Sequence, residues 1–308
     1  DAKRTKYVLA PNGLQSRAKR IFLLSGTPVV NRPIELYSVV KHLSPATISN
    51  MSKVEYGLKY CEAFRVDRYW VMTGANKKTL PELGARLRQN FMVRRTKEQV
   101  LFQLPEKRVS LVIINSSATA KKLIEETLNW DEANLLRRFV VLSEHVSTHR
   151  RLLGEAKVAS VAQYLHTVFE SNTGPVVIFA HHIKVVENIH AALQKMGHSG
   201  LYIHGKTHMD IRTQYVLDFQ ANQVRFLVAS IQTMGVGVTL TASSHCVFAE
   251  PSWVPGENLQ AMDRLHRIGQ RNAVQVDFLV NKHSLDERIL RLVHDKQVSI
   301  NTLYEEDK

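Results

Sequence analysis

Cysteine is scarce in this 308-residue chain, and the two cysteines present form no recognisable site. Cys61 and Cys246 lie far apart, with no Cys-x-x-Cys pair and no Cys/His spacing typical of zinc ligation. The fourteen histidines form no ligand pattern either. This usage excludes a disulfide framework and predicts a protein of a reducing, intracellular setting with no metal site built from cysteine and histidine.

Long apolar runs are also missing. No run approaches the roughly 18 residues that a membrane-spanning helix requires, and the first residues, Asp-Ala-Lys-Arg-Thr-Lys, contain no apolar signal core. The chain is nevertheless 44% hydrophobic, which is enough for a sizeable core. We therefore expect a soluble globular protein of about two domains, without a membrane partner.

Acidic residues are few in the first half of the chain. Residues 1–154 contain 27 Lys and Arg against 13 Asp and Glu, a balance of +14, whereas residues 155–308 contain 14 against 15. Basic pairs such as Lys77-Lys78, Arg94-Arg95 and Arg137-Arg138 recur in that half. The pattern is typical of a surface that follows a polyanion, although any single pair is also compatible with a solvated helix face.

Residues after about 155 alternate short β-branched runs with helical patterns, which predicts a parallel α/β sheet. The predicted strands are 176–180, 201–204, 225–229, 245–249 and 274–280, and the predicted helices are 183–196, 209–221, 257–267 and 285–297. Ligands of such sheets bind in the loops beyond the carboxyl ends of the strands. Here those loops contain His181-His182, 205–207, 230–241 and 250–256.

The first half is less regular. Residues 21–24, Ile-Phe-Leu-Leu, predict a buried strand that ends at the turn Ser25-Gly-Thr-Pro28, and a helix is expected at 33–43. A largely helical, basic stretch follows up to about residue 153.

Two arginines and a glutamine share a spacing near the end of the second half. Gln260, Arg264 and Arg267 are separated by four and three residues, so on one continuous helix they would project from the same face. Paired guanidiniums on a rigid element suit phosphoryl transfer, because they meet the charge that develops on the γ-phosphate oxygens. The alternative is an ordinary basic helix end in which Asp263 pairs with Arg267.

One segment satisfies the phosphate-loop expression G-x-x-x-x-G-K-[ST]: Gly200 to Thr207. A true phosphate loop has a strand before its first glycine and an open loop between the glycines. Here the apolar strand lies inside the expression, so we interpret the match as fortuitous.

Several separated motifs together resemble one family. In order they are Leu24-Ser-Gly-Thr-Pro-Val-Val-Asn31, Arg94-Arg-Thr-Lys97, Leu104-Pro-Glu-Lys107, Val177-Ile-Phe-Ala-His181, Tyr202-Ile-His-Gly205, Ser230 to Leu240, Trp253-Val-Pro255 and Gln260-Ala-Met-Asp-Arg-Leu-His-Arg-Ile-Gly-Gln270. The set resembles the Swi/Snf family of superfamily-two DNA-translocating ATPases. The wording at Phe248 to Gly256 resembles the annealing-helicase branch of that family.

The resemblance implies two RecA-like lobes with ATP between them and double-stranded or forked DNA across both. The implied division is the end of the first lobe at 1–47, helical insertions and linker at 48–153, the second lobe at 154–299 and a tail at 300–308. The family's phosphate-loop lysine and Asp-Glu box do not occur here, which leads us to expect the C-terminal part of a motor whose ATP and Mg²⁺ are gripped mainly by a preceding lobe. On this expectation the chain alone is inactive. The implied location is the cytoplasm or nucleoid in a bacterium or phage, or the nucleus in a eukaryote.

The resemblance also assigns residues. The implied roles are catalysis for Arg264 and Arg267, nucleotide contact for Gln260, Gly235 and Gly237, coupling for Ser25, Gly26, Thr27 and Pro28, and DNA contact for His204, Gly205, Lys206, Thr207, Arg212, Ser230, Thr239 and Trp253. The family has a glycine where this chain has Met234 and an asparagine where it has Thr239. A truncated, non-catalytic DNA-binding module is the alternative, and an RNA helicase of the same superfamily is disfavoured by the wording of the last motif.

Overall fold

A computed structural model describes residues 8, 13–128, 130, 143–234 and 237–304 of the chain. The chain divides into two compact units. Unit 1 comprises Asp1–Thr96, Val254–Gly256 and Val293–Lys308, and unit 2 comprises Lys97–Trp253 and Glu257–Leu292.

Unit 2 is built on a six-stranded parallel sheet in the order β3-β8-β7-β4-β6-β5. Its strands are β3 (Lys107–Ile113), β4 (Val176–Ala180), β5 (Gly200–Ile203), β6 (Phe226–Ser230), β7 (His245–Phe248) and β8 (Val274–Val280). Every residue of the central strands β4 and β6 is buried, as expected where helices cover both faces of a parallel sheet. The predicted α/β fold class and five predicted strands are confirmed to within one residue at each end.

The helices of unit 2 cover two apolar layers. They are α4 (Lys97–Val100), α5 (Ala118–Leu128), α6 (Ser143–Ala156), α7 (Val158–Ser171), α8 (Ile183–Lys195), α9 (Met209–Gln220) and α10 (Ile231–Met234). Alternation along β4 explains the two layers: Val176 and Ile178 belong to one cluster with residues of α7 and α8, and Val177 and Phe179 belong to the other with Phe219 of α9.

Unit 1 contains short helices and one hairpin. Its elements are α1 (Tyr37–Leu43), α2 (Lys53–Tyr60), β1 (Ala63–Val66), β2 (Tyr69–Met72) and α3 (Leu80–Asn90). Two further helices, α11 (Pro255–Met262) and α12 (Leu285–Tyr304), contribute residues to both units. The core of unit 1 joins Tyr56 and Tyr60 of α2 and Leu83 of α3 with Leu303 of α12.

One expectation from the sequence is wrong. Residues 21–24 form no strand, and Phe22 and Leu24 are 79% and 95% exposed. A buried strand needs partners for its backbone groups, and none of the described residues pairs with this segment. The stretch after residue 48, which is expected to be largely helical, also contains the β1–β2 strand pair and β3, which pairs in parallel with β8 along seven residues.

Two features expected from the composition concern the cysteines and the apolar helices. Cys61 and Cys246 are free and buried, and burial raises the pKa of the Cys61 thiol to about 11. Within the described ranges, no helix is both long enough and apolar enough to cross a membrane.

A buried ion pair connects Lys157, the N-cap residue of α7, to α12. Lys157 and Asp286 are 1% and 2% exposed, and the Lys157 ammonium donates to the Asp286 carboxylate and to the Leu279 carbonyl, the latter at 3.2 Å. Neither charge can reach water, so each depends on the other for its stability in the core.

We expect Lys157→Met to lower the free energy of unfolding by about 3–5 kcal/mol, because it leaves the Asp286 carboxylate buried without its cation. The double variant Lys157→Met/Asp286→Leu should recover most of that loss. Arg151→Met, which breaks the more exposed pair with Glu155, is the control and should cost less than about 1 kcal/mol. Urea denaturation of the three variants tests this, and equal losses in the two single variants would contradict it.

Candidate functional site

The predicted helix that carries Gln260, Arg264 and Arg267 ends earlier than expected. Helix α11 stops at Met262, and the chain continues through turns to Gln270. The Arg264 N–H donates to the Ala261 carbonyl three residues back, so the α-helical pattern has been lost there. Gln260 therefore lies on the helix, whereas both arginines lie on the following segment, 263–270, which we name the arginine turn. The prediction that one helix carries all three residues on one face is therefore wrong.

The arginine turn is instead bonded to the segment that follows α10. The Leu240 N–H donates to the Arg264 carbonyl at 2.8 Å, and the Arg267 guanidinium donates to the Val238 carbonyl at 3.3 Å. Residues Gly237 and Thr239 flank Val238. The structure thus brings together four residues to which the resemblance assigned roles, namely catalysis for Arg264 and Arg267, nucleotide contact for Gly237 and DNA contact for Thr239. One backbone and one side-chain hydrogen bond do so, and not helical spacing.

Gln270 fixes the far end of the turn. Its side-chain amide nitrogen donates to the carbonyls of Ser243 at 2.8 Å and of Thr241 and Leu265 at 3.3 Å. Its amide oxygen accepts from the Arg271 and Asn272 N–H groups. One buried side chain therefore joins the turn to residues 241–243 and sets the start of the next segment. In the sequence Gln270 is only the last residue of a motif, and nothing there indicates that it joins these segments.

Lys97 and Pro105 hold the other side of the turn. The Lys97 ammonium lies 2.5 Å from the Asp263 carboxylate and donates to the His266 carbonyl at 2.7 Å. His266 Nε2 lies 2.7 Å from the Pro105 carbonyl, so Nε2 is the donor. Asp263 pairs with Lys97 and not with Arg267, which removes the surface pair considered as the alternative. Lys97 and Pro105 both lie in motifs that contributed only to the family resemblance.

The charge on the turn is concentrated. Partial burial lowers the pKa of the Arg264 guanidinium, and the positive charge of Arg267 lowers it further. Burial also lowers the pKa of His266, which favours the neutral imidazole. The two guanidiniums therefore make this turn a positively charged site, to which an anion such as a phosphate group is attracted.

Of the two glycines predicted to contact nucleotide, only Gly237 can be described. It is exposed and has a φ of +72°, a conformation that disfavours any side chain, and a Cβ there would have open space around it. Gly235 lies outside the described residues. The positive φ of Gly237 therefore favours glycine at this position whether or not a ligand binds there.

The phosphate-loop expression at Gly200 to Thr207 is fortuitous, as the sequence predicted. Gly200 to Ile203 form the edge strand β5 and pair with β6, so this stretch is extended backbone and not the open loop that surrounds a phosphate. A Cβ on Gly200 would lie 2.3 Å from the ring of Phe226, so this glycine permits close packing of strands.

The loop after β5 presents side chains and not amides. The Lys206 N–H donates to His204 Nδ1 at 3.2 Å, and the Thr207 N–H donates to the His204 carbonyl at 2.9 Å. His204 itself is buried, with Nε2 3.2 Å from the Glu187 carboxylate. Gly205 and the Lys206 side chain are exposed. Lys206 is thus an exposed cation of this loop, and the half-buried Thr207 hydroxyl accepts from the His204 N–H at 3.1 Å.

The remaining predicted DNA contacts differ in exposure. Ser230 is buried and its hydroxyl bonds to Thr233, whereas Arg212 is half-buried and donates to the Thr207 carbonyl at 3.4 Å. Trp253 is half-buried, with the Arg150 guanidinium carbon 5.6 Å from its ring centroid. Of these three residues, Ser230 is the least accessible to DNA.

A buried carboxylate that the sequence did not single out supports the loop before Trp253. Glu250 is 1% exposed and accepts from the backbone N–H groups of His181 and His182 at 3.0 Å and from His182 Nδ1 at 2.8 Å. Burial alone would raise the pKa of Glu250, but the bonds from His182 outweigh it and lower the pKa. The sequence position that reflects this site is Gly154, because a Cβ there would lie 2.2 Å from the Glu250 carboxylate.

The Ser-Gly-Thr-Pro motif lies in unit 1. Ser25 and Gly26 are exposed, and the Ser25 hydroxyl accepts from the Thr27 N–H at 3.1 Å, which makes a local turn. The turn follows the irregular segment 21–24 and not a strand end. Pro28 precedes Val29, whose side chain packs in the core of unit 1.

The described residues offer no ligand set for Mg²⁺. No group of three or more His, Cys, Asp or Glu side chains in the described part of the chain could hold a metal ion. We therefore assign no magnesium ligand to this chain and derive no step through the ion.

Comparison with known proteins gives two family matches and several relatives. Residues 3–170 match the SNF2-related domain, and residues 156–269 match the helicase conserved C-terminal domain. The Xenopus laevis protein named SWI/SNF-related matrix-associated actin-dependent regulator of chromatin subfamily A-like protein 1 is 33% identical over 92% of this chain and 29% of its own length. The Caenorhabditis elegans homolog is 33% identical over 98% of this chain and 44% of its own length.

A second group of relatives has a different name. The Mus musculus DNA annealing helicase and endonuclease ZRANB3 is 31% identical over 98% of this chain and 28% of its own length. The solved C-terminal part of the Fun30 ATPase domain aligns with 65% of this chain and 97% of that chain, at 15% identity and a TM-score of 0.47. The chain thus spans less than half the length of the curated relatives it matches. Because the SNF2-related match alone covers more than half of the 308 residues, this chain belongs to the SNF2-related family and carries its helicase conserved C-terminal domain.

Proposed function

We propose that this chain forms the C-terminal part of an ATP-dependent double-stranded DNA translocase and supplies its arginine fingers. The observation that supports this most is the arginine turn, which holds Arg264 and Arg267 beside the Gly237 to Thr239 segment by one backbone and one side-chain hydrogen bond. Gln270 and Lys97 brace that turn from two sides. Such bracing limits the motion of the guanidiniums, and a catalytic charge must be positioned before the reaction.

The chemistry follows from the guanidinium group. Charge builds on the γ-phosphate oxygens of ATP as the phosphoryl group transfers, and a planar cation that cannot lose its proton stabilises it. Repulsion between Arg264 and Arg267 disfavours the site without an anion, so phosphate binding relieves it. In this proposal Gln260 and Gly237 contact the nucleotide, and Ser25 to Pro28 couple nucleotide state to DNA contact.

We propose that DNA is held through its phosphates. Lys206 is exposed in the loop after β5, the Thr207 hydroxyl is half-buried beside it, and Arg212 is hydrogen-bonded to that loop. Together with the excess of 14 positive charges in residues 1–154, these groups favour a backbone contact without base reading. Two relatives at 31% identity are named DNA annealing helicases, which supports double-stranded or forked DNA as the partner.

The alternative is a non-catalytic DNA-binding module. It shares the DNA contacts but gives the arginine turn only a structural role. Turnover measurements on arginine variants distinguish the two proposals, because only a catalytic role predicts a loss of rate at unchanged DNA affinity.

In the intact motor, we expect Arg267→Ala to lower DNA-stimulated ATP turnover by roughly 10³ to 10⁵ while DNA affinity stays nearly constant, because fingers act in the transition state. Arg267→Lys should not rescue turnover, since a point charge lacks the planar fork. Steady-state ATPase assays at saturating duplex DNA measure the effect. Arg271→Ala, an exposed arginine just beyond the turn, is the control. Near-normal turnover of the lysine variant would contradict the finger role.

The 308 residues alone should hydrolyse ATP far more slowly than the roughly 1 to 10³ per second typical of enzymes. The physical reason is that two guanidiniums do not replace a phosphate loop and its metal site, and Gly200 to Ile203 form a strand and not a loop. Phosphate release by the purified chain, with and without duplex DNA, tests this. Rapid turnover that Lys206→Ala abolishes would show that the 200–207 segment binds phosphate after all.

DNA binding by this chain should be independent of sequence and fall steeply with salt, because Lys and Arg contacts to phosphates release counterions. Contacts to six or more phosphates would weaken affinity roughly 10³-fold or more between 50 and 200 mM salt. Fluorescence anisotropy with two unrelated duplexes measures both properties. Affinity that is unchanged across that range would rule out the phosphate contacts proposed here.

A further inference from the structure

The hairpin of unit 1 carries two aromatic side chains into solvent. Tyr69 is 77% exposed and Trp70 is 44% exposed, and both immediately follow the two-residue turn Asp67-Arg68 that joins β1 to β2. Two adjacent large aromatic side chains are thus open to solvent at the hairpin tip, Tyr69 more fully than Trp70. The hairpin lies outside the sequence motifs that carry the family resemblance.

The base of the hairpin is firmly attached to unit 1. The Arg32 guanidinium donates to the Met72 carbonyl at 2.5 Å, and the Thr73 N–H donates to the Glu62 carbonyl at 2.9 Å. Met72 packs so closely on α2 that a Cβ at Gly57 would lie 2.5 Å from its Cε. An isolated two-stranded hairpin is marginally stable, so these contacts determine where the tip stands.

Two arginines lie at or beside the turn, while the rings of Tyr69 and Trp70, as adjacent strand residues, project from opposite faces of the hairpin. Arg65 is paired directly with Trp70 across the strands, so both side chains project from the same face. The Arg65 Nε–H donates to the Asp67 carbonyl at 3.1 Å, which holds the guanidinium near the turn. Arg68 is exposed within the turn, so two arginines outweigh the single Asp67 carboxylate at the tip.

Aromatic platforms beside basic groups are the means by which proteins bind unpaired nucleotides. Each base presents a π-face, so stacking needs no particular sequence, and the arginines reach the neighbouring phosphates. In a fully paired duplex the faces of the bases are already stacked on each other. Rings at a hairpin tip therefore gain most from DNA that contains unpaired bases.

We propose that the tip of the β1–β2 hairpin binds unpaired bases of forked or partly single-stranded DNA, with Trp70 and Tyr69 as stacking platforms and Arg65 and Arg68 at the phosphates. The inference rests on the proposed DNA-binding function and adds to it the surface that distinguishes a fork from a plain duplex.

A purely structural role predicts a different outcome. The Arg65–Trp70 pair would then serve to stabilise the hairpin, as cross-strand pairs commonly do. In that case Trp70→Ala lowers the melting temperature and leaves DNA selectivity unchanged. Stability and selectivity must therefore be measured on the same variants.

The test compares anisotropy titrations of the full 308-residue chain with a blunt duplex and with a fork of equal length that has two unpaired arms. Trp70→Ala and Tyr69→Ala should each weaken fork binding roughly five- to hundredfold, as expected for the loss of one base–aromatic stack, and should change duplex binding less than about twofold. Trp70→Phe should retain most fork affinity. Phe102→Ala, which removes a ring that is 85% exposed in unit 2, is the matched control and should change neither.

Trp70→Leu keeps apolar cover on the strand but removes the π-face, so it should behave as Trp70→Ala on the fork. Fork affinity equal to wild type in that variant, or equal losses on fork and duplex, overturns the proposal. Wild-type binding of both DNAs by every tip variant does the same and favours a protein partner for the tip. Failure of the unaltered chain to bind any DNA would instead overturn the proposed function, whereas normal salt-sensitive duplex binding with no tip effect overturns only this inference.

Discussion

The side-chain amide of Gln270 is the contact on which the geometry of both arginines depends. Three carbonyls from two segments accept from its nitrogen, and two following N–H groups donate to its oxygen. A buried amide with all of these bonds cannot shift without leaving polar groups unsatisfied. The turn that holds Arg264 and Arg267 therefore has one arrangement relative to residues 238–243, in spite of having no regular secondary structure.

The same principle operates at other points beyond the carboxyl ends of the strands. Glu250 collects three N–H donors from the residues after β4, and Lys157 neutralises Asp286 next to the end of β8. Parallel strands bring the loops of this edge together, but they do not fix the conformation of those loops. Buried polar groups with complete sets of partners do so, at the cost of tolerating few substitutions.

The early end of α11 changes the physical basis of the arginine pair. On a continuous helix, the spacing from Gln260 to Arg267 would align the side chains by the 3.6-residue repeat. With the helix ending at Met262, their placement comes from the bonds of the Gln270 amide, from hydrogen bonds with Val238 and Leu240 and from the Lys97–Asp263 ion pair. This arrangement connects the arginines directly to the Gly237 segment, which helical spacing alone would not require.

The sequence by itself determined the α/β class, the five strands from Val176 onward and the membership of the family, because β-branched runs, helical periodicity and the Gln260 to Gln270 motif are local signals. It also identified the Gly200 to Thr207 match as fortuitous, since an apolar strand inside a phosphate loop is physically inconsistent. Tertiary structure alone decided the rest. An apolar run at 21–24 predicts a strand, but a strand forms only where partners exist, and the run at 107–113 became one because β8 lies beside it. The roles of Gln270, Glu250 and Lys157 depend on partners 20 to 130 positions away in the chain, and no local pattern encodes which distant carbonyl or carboxylate a buried polar side chain will meet.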